Sequence, residues 1–194
     1  MKNFLFTVFL LGANIAFSQN IVDLSSLNIE LMSTGYGKAR VDRTCENRPI
    51  TMQNKVYKGV GTHAYSKFIV SLNSNCEKFN TLVGVDDEAS EKASVIFRIY
   101  GDDKLLSESP VMHKNDVPYN MEVDLAGVNK LILEVHPTED GNIADHANWA
   151  DAFFTMKNDK RPVAIPDSEI INVNTDNIQL SLTVNKKGDV FMQY

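Results

Sequence analysis

The sequence predicts an all-β protein, an antiparallel β-sandwich followed by a C-terminal β-hairpin. Short segments in which apolar and polar residues alternate recur along the chain, and turn-forming residues separate them. No long segment shows the 3.6-residue apolar periodicity of an amphipathic helix. Short strands at this spacing are typical of two antiparallel sheets packed face to face.

The strands of the sandwich follow one another along the middle of the chain. They are predicted over residues 68–72, 79–85, 95–100, 104–106, 121–125, 131–135 and 152–156. Met121, Val123 and Leu125 alternate with acidic residues, which indicates a strand with one buried face. Gly101-Asp102-Asp103 predicts a tight hairpin, because these residues tolerate the backbone dihedrals of turns.

The N-terminus is typical of a secretory signal peptide over residues 1–18. Lys2 precedes an apolar run at 4–11, and the small residues Ala16 and Ser18 form a cleavage site before Gln19. The run is too short to cross roughly 30 Å of hydrocarbon. No cysteine follows it, which argues against a lipoprotein anchor. We therefore expect a secreted or periplasmic protein whose sandwich occupies residues 19–156.

Beyond the sandwich, residues 157–167 are polar, charged and proline-containing, which predicts a linker. Residues 168–194 then contain two alternating strands, at 178–184 and 190–194, around a turn at 185–189. A two-stranded hairpin alone is marginally stable in water. It either packs on the sandwich or begins a truncated second domain, and the linker favours the second interpretation.

Charge and cysteine content restrict the partners and the covalent structure. The formal net charge of −6 argues against binding to nucleic acids or to anionic membranes. In an exported protein, Cys45 and Cys76 favour a disulfide slightly over two separate buried thiols.

Three polar clusters, at residues 57–64, 83–88 and 145–151, are candidates for a functional site. A glycosidase needs two carboxylates about 5–9 Å apart, whereas adjacent Asp86 and Asp87 would leave opposite faces of a strand. Asp87 with Asp145 or Asp151 is conceivable as a pair, but the sequence does not fix the distance. The chain contains no nucleophile elbow, phosphate loop or His-Glu-x-x-His motif. We therefore predict no catalysis by this chain.

The third cluster has the residue types of a sugar-binding site. Trp149 could cover the apolar face of a pyranose ring while Asp145, His146 and Asn148 bind its hydroxyls. The alternative is a tryptophan that lies in the core, with polar neighbours that tie loops together. His63 and His146 with an acid could instead bind zinc, although their spacing is not that of a known zinc motif.

The three clusters resemble, in the same order, the motifs of NPCBM-type carbohydrate-binding modules. Leu24-Ser25-Ser26-Leu27 and Gly35-Tyr36-Gly37 extend the resemblance over residues 24–156. The family implies a jelly-roll-like β-sandwich, often with a structural calcium, that is attached to secreted glycoside hydrolases and binds galactose-type glycans. The residues matching family positions, and so the expected sugar-binding residues, are His63, Asp86, Asp87, Asp145, His146 and Trp149. Asp42 and Asp151 are the expected calcium ligands.

The C-terminal segment is similar to the start of the melibiase-type α-galactosidases, in which a β-supersandwich precedes a catalytic barrel. This resemblance implies that the chain is a truncated α-galactosidase without its catalytic residues. We expect a non-catalytic module that keeps an attached glycoside hydrolase near galactose-containing glycans. A structural spacer or docking domain without sugar affinity is the alternative.

Overall fold

The structure, a computed structural model, describes residues 20–174, 179–185 and 190–193. The predicted signal peptide at 1–18 lies outside the described residues. Among the described residues the regular elements are β-strands and two single 3₁₀ turns, at Leu24–Ser26 and Ile29–Leu31. No helix among them is long and apolar enough to cross a membrane.

The strands are numbered in chain order. The first nine are β1 (Asn20–Asp23), β2 (Arg40–Val41), β3 (Thr51–Met52), β4 (Lys55–Val56), β5 (Gly59–His63), β6 (Ser66–Ser71), β7 (Cys76–Val85), β8 (Ser94–Gly101) and β9 (Lys104–Glu108). The remaining eight are β10 (Met112–His113), β11 (Tyr119–Asp124), β12 (Lys130–Pro137), β13 (His146–Met156), β14 (Val163–Ile165), β15 (Ser168–Asn174), β16 (Gln179–Asn185) and β17 (Val190–Gln193).

Two antiparallel sheets of six strands form the sandwich. The first has the order β11-β7-β13-β5-β2, and β1 pairs with the C-terminal half of β13. The second has the order β10-β8-β12-β6-β14, and β9 pairs with β8. Most neighbouring strands are distant in sequence, so the long central strands β7 and β13 hold separate parts of the chain together. The predicted antiparallel β-sandwich is confirmed.

The core lies between the two sheets and follows the alternation of the strands. On β8, Val95, Phe97 and Ile99 are fully buried while the residues between them are partly exposed, as the two-residue period of a strand requires. Phe97 meets Trp149 of the opposite sheet edge to face, with ring centroids 5.1 Å apart. This contact joins the two sheets near the middle of the sandwich.

The turn predicted at Gly101-Asp102-Asp103 closes the β8–β9 hairpin. Asp102 and Asp103 both have positive φ, and Gly101 pairs with Lys104. The Asp102 carboxylate also accepts hydrogen bonds from the backbone N–H groups of Asn129 and Lys130. The turn therefore also fixes the start of β12.

The segment between the sandwich and the C-terminal strands contains a strand of its own. β14 pairs with β6 in the second sheet, from Val163 opposite Ser71 to Ile165 opposite Ile69. The linker predicted over 157–167 is therefore interrupted by a strand that belongs to the sandwich. This strand has only three residues, all of them apolar, so it has no alternation by which periodicity could distinguish it from a loop.

The C-terminal strands form a separate sheet. β16 and β17 pair antiparallel, as the predicted hairpin requires, and β15 adds a third strand on the other side of β16. β15 was not among the strands predicted from the sequence.

The two cysteines do not form a disulfide. Both thiols are free and buried. Cys76 begins β7, whereas Cys45 contacts His146, whose neighbour Ala147 pairs with Val85 at the other end of that strand. A ten-residue strand spans roughly 30 Å, far beyond the reach of a disulfide. The predicted Cys45–Cys76 bond is therefore wrong, and the alternative of two separate buried thiols holds.

Candidate functional site

A cavity of ≈ 390 Å³ opens at one end of the first sheet. Two strands end or begin there, and three loop segments complete the wall. The lining residues are Gly35, Tyr36, Glu46, His63, Asn142, Ala144 and His146. Aromatic, imidazole, carboxylate and amide groups thus surround a space large enough for a small polar ligand.

Strand register places the two histidines in the cavity. β5 ends at His63 and β13 begins at His146, and the two residues are direct partners across the antiparallel pair. Partners of this kind leave the same face of a sheet. Their rings meet edge to face, with centroids 5.2 Å apart.

The loop that precedes β2 approaches the end of β5 closely. The backbone N–H of Gly35 donates to the His63 carbonyl oxygen at 3.2 Å. A Cβ at Gly35 would lie 2.2 Å from the Ala64 carbonyl oxygen, so the approach requires glycine. The approach brings the ring of Tyr36 to 5.5 Å from that of His63, centroid to centroid. Tyr36 remains 56% exposed and forms the accessible aromatic face of the cavity.

The hydrogen bond of the His63 ring identifies which of its two nitrogens carries the proton. Its Nδ1–H donates to the Ala64 carbonyl oxygen at 2.7 Å, which leaves Nε2 as the acceptor of a neutral ring. Burial lowers the pKa of both His63 and His146 below the usual histidine value, and it is the largest cause for each. Both rings are therefore neutral at pH 7 and provide hydrogen-bonding groups without a net charge.

The loop residues add polar groups on the opposite side of the cavity. Glu46 is partly exposed and lies 4.0 Å from the Arg48 guanidinium. The Asn142 amide has one long contact, 3.5 Å from its Nδ2 to the Ala64 carbonyl oxygen. Ala144 has a positive φ of 61°, which turns the chain into β13. Neither the carboxylate nor the amide is consumed by strong internal hydrogen bonds, so both can bind a ligand.

Three predicted sugar-binding carboxylates have structural roles. Asp86 accepts hydrogen bonds from the backbone of Thr51 and Glu88 and from the Asn148 amide. Asp87 accepts the backbone N–H groups at the turn of the β3–β4 hairpin, and Asp145 accepts that of Ser94. None of the three lines the cavity. These carboxylates attach loops to the end of the sandwich.

Trp149 is a core residue and cannot serve as a sugar platform. Its side chain is 0% exposed and packs against Phe97 between the sheets. It lies on the same strand as His146 but three residues further, on the face that points into the core. The prediction that its ring faces a sugar is therefore wrong, whereas His63 and His146 do line the cavity.

The aromatic and polar residues that sequence reasoning missed lie in loops. Tyr36, Glu46 and Asn142 belong to no strand, so no periodicity marks them. Of the three, only Tyr36 had a sequence signal. It lies between two glycines, in a loop segment without the alternation that would place an aromatic ring in the core.

The two predicted calcium ligands, Asp42 and Asp151, both form hydrogen bonds with the Lys58-Gly59 dipeptide. Asp42 accepts hydrogen bonds from the Lys58 ammonium at 2.9 Å and from the Gly59 N–H at 3.0 Å, and the Asp151 N–H donates to the Lys58 carbonyl oxygen. With both Asp42 oxygens engaged and an ammonium beside them, this arrangement does not offer the several free oxygen ligands that calcium prefers. Calcium binding by the chain stays a prediction.

A second concavity, of ≈ 440 Å³, lies beside β2. Its described lining includes Arg40, Arg43 and Glu30 but no aromatic ring or imidazole. It is larger than the cavity at His63, yet it lacks an apolar ring on which a sugar could stack. The cavity at His63 is therefore the better candidate for a carbohydrate site.

Comparison with known proteins identifies the family. Residues 20–155 match the family model of the NPCBM/NEW2 domain. The chain belongs to that family. The match extends from β1 to the penultimate residue of β13 and stops before β14.

Two relatives of the chain carry the names of glycosidases. The chain is 27% identical over 154 residues to a putative endo-alpha-N-acetylgalactosaminidase of Renibacterium salmoninarum, which covers 76% of the chain and 10% of the relative. It is 31% identical over 135 residues to alpha-1,3-galactosidase B of Akkermansia muciniphila, which covers 67% of the chain and 17% of the relative. The chain thus corresponds to a small part of each relative.

A solved structure provides the same fold with a ligand. It is the CBM51 module from a Clostridium perfringens GH95 protein in complex with methyl-galactose. The chain is 35% identical to it with a TM-score of 0.64, and the match covers 70% of the chain and 100% of the module.

Proposed function

We propose that the sandwich at residues 19–156 is a non-catalytic carbohydrate-binding module that binds galactose-type sugars in the cavity at His63. The observation that carries the proposal is the exposed Tyr36 ring beside the His63 and His146 imidazoles, with Glu46 and Asn142 across the cavity. An apolar ring face bordered by fixed polar groups suits a pyranose, which has one apolar face and a rim of hydroxyls.

Each group has a role in this binding mode. The Tyr36 ring covers the apolar face of the sugar, and Nε2 of His63 accepts a hydrogen bond from a sugar hydroxyl. The Glu46 carboxylate accepts from further hydroxyls, and the Asn142 amide both donates and accepts. The volume of ≈ 390 Å³ falls at the small end of the range of ligand pockets, roughly 300–1,000 Å³. The cavity therefore suits the terminal sugar of a glycan, and its affinity is weak because such a ligand buries little apolar area.

Two lines of support favour galactose among the sugars. The CBM51 module from the Clostridium perfringens GH95 protein was solved with methyl-galactose, although another similar module from that organism was solved with GlcNAc. The relative from Akkermansia muciniphila is named as a galactosidase. Both are properties of those proteins, and they define the first sugars to be tested on this chain.

The geometry favours binding over hydrolysis. Among the described residues that line the cavity, Glu46 is the only carboxylate, whereas a typical glycosidase uses two. An intact small glycosidase would turn over an aryl α-galactoside, and we expect none from this chain.

The cellular context belongs to the same proposal. The N-terminal segment at 1–18 directs export, and the module keeps an attached glycoside hydrolase close to its glycan. The similarity of residues 168–194 to melibiase-type α-galactosidases supports a hydrolase of that class as the parent, and β15–β17 would begin its next domain. DNA sequence directly downstream tests this, because an in-frame catalytic barrel should follow.

The binding proposal is tested by isothermal titration of the purified chain with methyl galactoside, and methyl glucoside serves as the control sugar that differs only at C4. We expect saturable 1:1 binding that favours the galactoside. A glycan array then identifies the preferred terminal linkage. Folded protein that binds no galactose-containing glycan would refute the proposal and favour a structural spacer or docking domain.

A further inference from the structure

Directly beside the cavity, Cys45, Glu88 and His146 bring a thiol, a carboxylate and an imidazole together. Cys45 Sγ lies 3.1 Å from His146 Nδ1, and His146 Nδ1 lies 3.1 Å from Glu88 Oε1. One potential ligand atom of each residue lies within 4.8 Å of the other two. The three residues come from separate segments of the chain, so the fold itself creates the cluster.

The Glu88 carboxylate is buried without adequate hydrogen bonds. Its side chain is 5% exposed, and neither oxygen has a partner of good hydrogen-bond geometry, although the Thr44 hydroxyl lies close enough to favour its ionised form. The Arg48 guanidinium lies beside the carboxylate, with its Nε 3.6 Å from Oε2, but the Arg48 side chain is largely exposed. The negative charges of Asp86 and Glu46 lie close enough to oppose ionisation of Glu88 further. Buried carboxylates are normally paired or bind a metal.

The spacing of the three groups suits a small cation. Zinc lies about 2.3 Å from sulfur and about 2.0–2.2 Å from nitrogen or oxygen, so tetrahedral ligands are separated by roughly 3.3–3.8 Å. The separations here are 3.1 Å for Sγ to Nδ1 and 3.1 Å for Nδ1 to Oε1. Both separations lie within about 0.7 Å of these tetrahedral values, and the separation between the Cys45 and Glu88 ligand atoms is at most 4.8 Å.

We propose that Cys45 Sγ, Glu88 and His146 Nδ1 form a binding site for a borderline-soft divalent cation of the zinc class. Thiolate and imidazole favour such a cation over calcium or magnesium, which prefer oxygen ligands alone. When the metal–sulfur bond forms, the Cys45 thiol proton passes to solvent. The thiolate and the carboxylate then neutralise the dipositive ion, and three protein ligands leave a fourth position for water.

Cobalt(II) titration of the reduced, chelator-treated chain tests the site, because a thiolate ligand gives cobalt an intense near-ultraviolet charge-transfer absorption. We expect one cobalt per chain, displaced by zinc. Cys45→Ser removes the charge-transfer band. Glu88→Gln, which keeps the side chain's size, weakens binding by more than about 10-fold, since even loss of residues outside the first coordination sphere costs roughly 10–100-fold.

Cys76 provides the matched control. Its thiol is also buried, but it lies in the apolar core and donates to the backbone carbonyl oxygens of Lys78 and Thr155. Cys76→Ser should therefore leave the cobalt spectrum and affinity unchanged. Circular dichroism establishes that each variant is folded.

Two results would overturn the proposal. One is a folded wild-type chain that binds no stoichiometric cobalt or zinc, and the other is a Cys45→Ser variant with an unaltered spectrum. The measurement uses no sugar, and Tyr36→Ala should not affect it. A failure of the metal site is thus distinguishable from a failure of the proposed carbohydrate binding.

Discussion

His63 and His146 face each other across the end of the β5–β13 pair, with their ring centroids 5.2 Å apart. One ring lies against the exposed Tyr36, and the other lies against the buried Cys45 and Glu88. The pair therefore separates an open, polar cavity from a closed cluster of potential metal ligands. Sugar binding in the cavity and metal binding at the cluster can therefore be tested separately.

Replacement of Tyr36 by alanine should weaken galactoside binding by about 10-fold or more, because the sugar loses its aromatic face. The melting temperature should change little, since the side chain is mostly exposed. Titration calorimetry and thermal unfolding measure the two effects. Tyr119→Ala is the control, because Tyr119 is also exposed but lies on β11 outside the cavity lining. Equal losses in both variants would contradict this role of Tyr36.

Replacement of Trp149 by alanine should mainly reduce stability, whereas replacement of Tyr36 should mainly reduce sugar affinity. Removal of a fully buried indole should cost about 3–5 kcal/mol of unfolding free energy. Urea denaturation measures that loss, and Trp149→Phe should retain more stability. The folded fraction of Trp149→Phe should bind galactoside as the wild type does. A selective loss of sugar affinity with unchanged stability would place the ring at the ligand after all.

Asp87→Ala should loosen the β3–β4 hairpin. The Asp87 carboxylate accepts the N–H groups of Gln53 and Asn54 at 2.9 and 2.8 Å. The loss should cost about 1–2 kcal/mol of stability. Hydrogen exchange at these two amides should accelerate while sugar affinity stays unchanged. Unaltered exchange would show that the carboxylate does not hold the turn.

The buried Asp145 should make stability depend on pH. Burial raises the pKa of Asp145 from 3.8 to about 6, and the hydrogen bond from the Ser94 N–H partly opposes the increase. Because the folded-state pKa is the higher one, the stabilising contribution is complete below pH 3.8 and is lost as pH rises through 6. The loss is on the order of 3 kcal/mol, because one pKa unit corresponds to about 1.4 kcal/mol.

Asp145→Asn isolates this contribution, because the amide cannot ionise. Urea denaturation with a chelator present should show the wild type losing stability relative to the variant between pH 4 and 7. A constant difference across this range would contradict the raised pKa.

Both cysteines should remain thiols in the purified protein. Thiol-reactive dye should label neither quickly in the native chain, because both residues are buried. Two equivalents should react after denaturation without a reductant. Labelling of fewer than two thiols under those conditions, with a mass lower by two hydrogens, would show that a disulfide forms.

Sequence patterns predicted most of β7, β8 and β12 because burial on one face imposes a two-residue period, as Val95, Phe97 and Ile99 show on β8. Of β13, the longest strand, they predicted only residues 152–156. They missed β5, because Gly59 and Gly61 occupy positions at which a recognisable strand would carry larger side chains. A Cβ at Gly61 would lie 2.3 Å from the Arg43 carbonyl oxygen, so close backbone packing explains the glycine there.

Only some residues of the candidate site could be predicted from the sequence. His63 and His146 were found because family motifs carry them, and strand register then brings them together. Trp149 was misassigned because an indole suits a core as well as a sugar. Tyr36, Glu46 and Asn142 meet only through tertiary structure, which the spacing of residues in loops does not encode.

Core residues of β13 and the loops at the strand ends have different roles, and this difference has an evolutionary consequence. Trp149 joins the sheets, whereas the groups that would contact a ligand come largely from loops at the strand ends. Substitutions in those loops change the pattern of donors and acceptors without altering strand register. Sugar preference in such a module can therefore diverge while the sandwich that carries it is maintained by selection for stability alone.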